Sequence, residues 1–161
     1  MELRELAVEK LKNRGVSLES IAEITYDLQS KYFETSMDEC MKMINEVLDK
    51  RECIHAILTA ITLDEVAEKE LIDKEICALI RNDNKLYGMD EILALGITNL
   101  FGSIALTNFG YLDKVKPGII GVVDNLGKEK KECHTFLDDI ICAIASSAAS
   151  RLAHTKGTIN L

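Results

Sequence analysis

Apolar positions along the first eighty residues recur at the three- and four-residue spacing of helices. Leu3, Leu6, Ala7 and Leu11 form one stripe, and Gly15 marks its stop. Ser17 is placed to cap a second helix reaching about Tyr32, with Leu18, Ile21, Ala22, Ile24 and Leu28 on its buried face. Ser36-x-x-Glu39 reads as a capping box for a third helix ending near Lys50. A fourth carries Cys53, Ile54, Ile57, Leu58 and Ile61. Thr62-x-x-Glu65 predicts the start of a fifth, with a break near Asp73, and Asn82-Asp83-Asn84 reads as a loop.

The second half follows a different pattern. From Ile92 to Leu112 there are 21 residues without a charge. That length would suffice for a membrane span. However, Thr98, Asn99, Ser103, Thr107 and Asn108 are polar, and glycines interrupt the run. The expectation is therefore that 89–112 is the buried central helix of a bundle, with the others around it. Pro117 suits the first turn of a short helix, and 127–132 reads as a charged loop. Thr135-x-x-Asp138 reads as the cap of a last long helix, whose small residues from Ala143 to Ala149 admit close helix approach.

Composition agrees with the pattern. One proline and nine glycines in 161 residues leave too few turns for a sandwich or barrel. The fold class is all-α, one domain over 1–161, a helical bundle burying about 70% of its unfolded surface. With 19 basic and 27 acidic residues, a net charge of −8 excludes the basic footprint that nucleic acid requires. Anionic lipid is also repelled unless a metal intervenes. Cys40, Cys53, Cys77, Cys133 and Cys142 are odd in number and form no C-x-x-C pair, as expected of free thiols in a reducing cytoplasm. The charged, amphipathic first twenty residues do not resemble a signal peptide. His55, His134 and His154 are scattered and read as surface or capping residues. An apolar stripe is expected on the N-terminal helices, to be covered in a homodimer or homotetramer.

Motifs for nucleophilic, P-loop, zinc-protease and dinucleotide chemistry are absent. The carboxylates are more informative. Asp90-Glu91, Asp113 and Asp138-Asp139 lie at the ends of the most apolar segments. Acids in a first turn complement the helix dipole, which alone would explain several of them. Converging there, however, they would repel one another unless a cation binds, and oxygen-only ligands favour Mg²⁺ or Mn²⁺. Asp90, Asp113 and Asp139 are expected within about 10 Å of one another, the span of one hydrated ion. Adjacent helical residues point about 100° apart, so Asp139 is expected as ligand and Asp138 as cap or supporting group. Lys116, just ahead of Pro117-Gly118 and a helix start, is placed to hold a phosphate. Acids for a metal and a lysine for phosphate form a phosphoryl-transfer set.

These residues resemble the phosphatidylglycerophosphatase A family. Met89-Asp90-Glu91, Gly110-Tyr111-Leu112-Asp113 with Lys116-Pro117, and Phe136-Leu137-Asp138-Asp139-Ile140 occur in the family's order and at similar spacing, over roughly 80–154. The wording is similar to the soluble YutG-like branch of Gram-positive bacteria. The resemblance implies an all-helical, oligomerising, Mg²⁺-dependent phosphatase that removes the terminal phosphate of phosphatidylglycerophosphate. Carried onto this chain, it implies Asp90, Glu91, Asp113 and Asp139 as metal ligands and Asp113, Lys116 and Asp138 as catalytic residues. It also admits peripheral membrane contact from the cytoplasm. Two departures keep other readings open. Residues 1–70 lack the Gly/Pro-rich segment of membrane-bound members, and Gly118-Ile119-Ile120 replace the aromatic and apolar residues that follow Lys-Pro. The alternatives are a phosphatase of soluble esters and a non-catalytic helical oligomer that keeps the acidic cluster.

Overall fold

The computed structural model describes residues 1–129 and 132–159. Its elements in order are α1 (Leu3–Asn13), α2 (Leu18–Gln29), α3 (Met37–Leu48), α4 (Arg51–Glu68), α5 (Lys74–Arg81), α6 (Met89–Thr98), α7 (Ser103–Val115), α8 (Ile119–Lys128) and α9 (Leu137–Ile159). Strands are absent among the described residues, and the fold is an all-α bundle with one buried helix at its centre.

That central helix is α9, not 89–112. From Cys133 to Ser150 every residue is buried. Helices α2, α3, α6 and α7 pack along its length, with α8 against it as well. Ala143, Ala145, Ala148 and Ala149 are fully buried, and their small side chains let this many neighbours close in. The polar residues of α9 are absorbed by specific bonds. Ser150 Oγ donates to the Phe101 carbonyl at 2.7 Å, and Thr25 Oγ1 donates to the Ala145 carbonyl at 3.2 Å.

The uncharged segment 92–112 is instead divided between two helices. Gly102, at φ +89°, takes a backbone conformation that residues with a Cβ rarely adopt, and the chain reverses there. Helices α6 and α7 each lay one face on α9 through Ala94, Ile97, Ala105, Phe109 and Leu112. Their other faces leave Ile92, Leu106 and Tyr111 exposed. Leu86, Met89, Val115 and Val122 are also exposed, so the 86–122 region shows more exposed apolar side chains than the N-terminal helices, where Leu3, Tyr32 and Met37 are exposed. Among the described residues no helix is long and apolar enough to cross a membrane.

The N-terminal half follows its pattern with one exception. Gly15 (φ +82°) ends α1, Ser17 caps α2, Ser36 caps α3 and Asp73 caps α5. Thr62 starts nothing, because α4 runs unbroken from Arg51 to Glu68. Gly127 lies inside α8, so the expected charged loop begins later; its Lys130 and Lys131 lie outside the described residues. All five cysteines are free and buried.

Candidate metal centre

The bundle delivers three helix ends to one place. The start of α9 brings Asp138 and Asp139, the end of α7 brings Asp113, and the start of α6 brings Asp90. Asp113, Asp138 and Asp139 each offer a carboxylate oxygen, all within 4.8 Å of one another. Asp139 also shares hydrogen-bonding contact with Asp113 and Asp90. Glu91 is exposed at the rim, where limited burial and the charges of Asp113 and Asp90 raise its pKa. Of the acids expected to converge, Asp113 and Asp139 meet; Asp138 joins them in the tightest group, and Asp90 and Glu91 are not part of it.

Lys116 is the counter-charge. Its Nζ lies 2.9 Å from Asp138 Oδ2, 3.2 Å from Asp113 Oδ1 and 4.0 Å from Asp124 Oδ1. Burial opposes its charge, but Asp138 and Asp113 outweigh that and hold it well above the usual lysine range. The lysine is placed by its backbone. It ends α7 in the left-handed region at φ +51°, an uncommon state for a residue with a side chain. Gly121 makes this possible, because a Cβ there would stand 2.6 Å from the Lys116 carbonyl oxygen. Helix α8 can therefore close directly onto the turn that carries the lysine.

One ammonium does not balance this many acids, and the carboxyls respond by keeping protons. Asp139 is pushed up to about 11 by burial first, then by Asp138 and Asp113. Asp138, buried but paired with Lys116, is pushed up to about 7. A proton on Asp139 takes the role that a cation would fill. Three hard oxygen donors with a fourth beside them suit Mg²⁺ or Mn²⁺ and offer nothing to a soft metal.

Thr135 and Asp138 do not cap α9 as expected. Thr135 Oγ1 donates to the Ile80 carbonyl, and Asp138 Oδ1 accepts from the Asp139 amide at 2.9 Å. The free amides of the helix start are taken by Asp64, near the C-terminal end of α4. Its Oδ1 accepts from Phe136 N at 3.0 Å and its Oδ2 from Leu137 N at 2.9 Å. Asp64 is fully buried, and burial pushes it up to about 8 against the pull of those amides.

Sequence reading also passed over Asp83 and Asp124. Asp83 follows α5, and its pKa is raised by close packing and by facing Asp90 and Asp124. Asp124 is buried on α8, with Oδ2 2.6 Å from Lys128 Nζ. Its signal was an acid set in the apolar run Ile119 to Val123. His55 and His154 are exposed, and buried His134 bonds Glu132 at 2.5 Å; none of the three belongs to this group.

Fold and site together define an all-helical protein with a buried carboxylate cluster able to hold a metal, and a lysine set among the acids. The chain belongs to the phosphatidylglycerophosphatase A family, whose family model matches residues 8–154. That match reaches well upstream of residue 80, and it places the chain among proteins of phosphatase type. Two similar proteins of Bacillus subtilis are described as uncharacterized. YpjQ is 47% identical over 155 residues, 96% of this chain and 86% of that protein. YutG is 48% identical over 146 residues, 90% of this chain and 87% of that protein. The crystal structure of YpjQ superposes with a TM-score of 0.92 at 46% identity, covering 98% of this chain and 96% of that one. The low temperature requirement C protein of Listeria monocytogenes gives 0.91 at 46%, covering 98% of each chain.

Proposed function

We propose that this chain is an Mg²⁺-dependent phosphomonoesterase acting on phosphatidylglycerophosphate. The carrying observation is the meeting of the Asp113, Asp138 and Asp139 carboxylates within 4.8 Å, with the Lys116 ammonium against two of them. Asp113, Asp138 and Asp139 would hold the ion, with Asp90 and Glu91 facing it from α6. When bound, Mg²⁺ supplies neutralisation of phosphate charge and activation of a water. Lys116 binds a non-bridging phosphate oxygen, and Asp138 and Asp113 keep its ammonium charged and aimed. Water adds to phosphorus as the bond to the alcohol oxygen breaks, and the alcohol leaves with a proton. Exposed Leu86, Met89 and Ile92 flank Asp90 and Glu91, and they support a substrate with an apolar tail reached from a membrane surface. Five free buried thiols support action in the cytoplasm.

The assay is phosphate release from phosphatidylglycerophosphate in mixed micelles and from water-soluble esters, with Mg²⁺ and with chelator. Release that requires Mg²⁺ and is faster from the lipid is expected. Release from soluble esters alone would move the substrate class, and none from any ester would leave the non-catalytic reading. At the opposite end of α6 and α7, exposed Leu100 and Leu106 support self-association. Light scattering at micromolar concentration is expected to return a dimer or tetramer, and a monomer mass would refute this.

A further inference from the structure

We propose that Asp64 is a positioning residue of the metal centre, which fixes the segment 133–139 so that Asp138 and Asp139 face Asp113. The proposal rests on the reading of that cluster as a phosphatase metal site. Asp64 touches none of the three acids' bonds to one another. It acts through the backbone that carries two of them. The first amides of a helix have no partner inside it. At the start of α9 they are buried, so water cannot serve them. Asp64 serves two, Phe136 N twice over (3.0 and 3.2 Å) and Leu137 N at 2.9 Å. A second acid continues the brace one step upstream. Glu68, one turn along α4, accepts from Cys133 N at 2.8 Å. Arg14, which caps the end of α1, then closes the loop, donating to both Glu68 and the Cys133 carbonyl.

The reach of these bonds is what distinguishes them from ordinary capping. Asp64 lies 72 residues before Phe136, and Arg14 lies 119 before Cys133. Helices α2, α3 and α5 are each capped by a residue next to them in sequence. Alone among these, the helix that carries the carboxylates is capped from across the bundle, by a rigid side chain on another helix. A local cap would fray with its own loop; this one holds the site's start against α4.

Two readouts test this. The first is amide hydrogen exchange in metal-free protein, for wild type and Asp64→Asn, which keeps the volume. Exchange at 136–139 is expected to rise at least tenfold, with amides beyond Ile144 unmoved. The second is the Mg²⁺ concentration that half-saturates thermal stabilisation, expected to rise about tenfold, as for other groups that orient metal ligands. Ser17→Ala, which removes the cap of α2, is the control; it is expected to lower the melting temperature without shifting the Mg²⁺ response. Wild-type values for both readouts in Asp64→Asn would overturn the proposal. If Asp64→Asn does not fold, the smaller Asp64→Ser, whose short hydroxyl cannot serve both amides, is expected to raise both readouts above wild type, whereas wild-type behaviour would again overturn the proposal. A wild type that ignores Mg²⁺ would remove the metal reading itself, and the exchange rates would still decide what Asp64 holds.

Discussion

Asp139→Asn is expected to abolish the Mg²⁺ response, to cut phosphate release a hundredfold or more, and to raise the melting temperature of the metal-free protein. Loss and gain share one cause. Asp139 is buried against Asp113, Asp90 and Asp138, and at neutral pH it folds by keeping a proton that the unfolded chain would give up. An ordinary carboxyl ionises near pH 4, so holding that proton at pH 7 costs the fold about 4 kcal/mol, at roughly 1.4 per pH unit. Asparagine has nearly the same shape and incurs no such cost. The metal-free variant should therefore melt several degrees higher, at about 2–4 °C per kcal/mol for a chain of this size. With a ligand charge gone, stabilisation of the reacting phosphate falls by the amount typical of one lost electrostatic group. Thermal melts of both proteins, with and without Mg²⁺, check this. Equal Mg²⁺ responses together with a lower melting point in the variant would return Asp139 to the role of helix-dipole partner.

Metal-free protein is expected to lose stability as pH rises from 6.5 to 8, and Mg²⁺ is expected to reverse the trend. Asp138, Asp64 and Asp139 are pushed up to about 7, 8 and 11. A carboxyl raised on folding holds its proton where the unfolded chain has already lost it. Its contribution is complete below about pH 4 and drains away as pH climbs to the folded value. Across 6.5 to 8, Asp139 keeps its proton throughout while Asp138 and then Asp64 release theirs. The slope is on the order of 1 kcal/mol per pH unit for each proton kept, and it eases as each is released. His134 works in the opposite sense, since burial and Arg14 lower it; its effect lies mostly below its ordinary value near 6.5 and fades as pH rises through this window. Mg²⁺ needs ionised ligands, so its stabilisation grows with pH. Melts at pH 6.5 and 8 decide the matter. A metal-free melting temperature that stays flat or rises would show that the acids carry no excess protons.

Much of the N-terminal half was legible because its signals are local. Ser17, Ser36, Asp73 and Gly15 act on backbone within a few residues of themselves. The centre of the bundle was less legible, because absence of charge is not the same as burial. Residues 92–112 carry no charge, yet Ile92, Leu106 and Tyr111 are exposed. Helix α9 carries Asp138, Asp139, Ser146, Ser147 and Ser150, and all of them are buried. Averaged over its length it does not look like a core helix; only its neighbours reveal that it is one. The acids of the site were legible as candidates because each ends or starts a helix. Their grouping was not, because Asp113 and Asp138 are joined by packing, with Lys116 bonded to both. Asp64 stayed hidden for a related reason. Thr62-x-x-Glu65 read as a helix start, whereas in one continuous α4 Asp64 falls on the same buried face as Ile57, Ala60 and Ile61.

The placement of α9 bears on how the chain matures on the ribosome. The helix around which α2, α3, α6 and α7 assemble is the last of the described elements to be synthesised. At roughly 5–20 residues per second, the earlier helices wait for several seconds with their core faces uncovered. During translation those faces have only each other or a chaperone to lie against. Core and carboxylate cluster then form together, because the segment that completes the packing also brings Asp138 and Asp139 to Asp113 and Lys116.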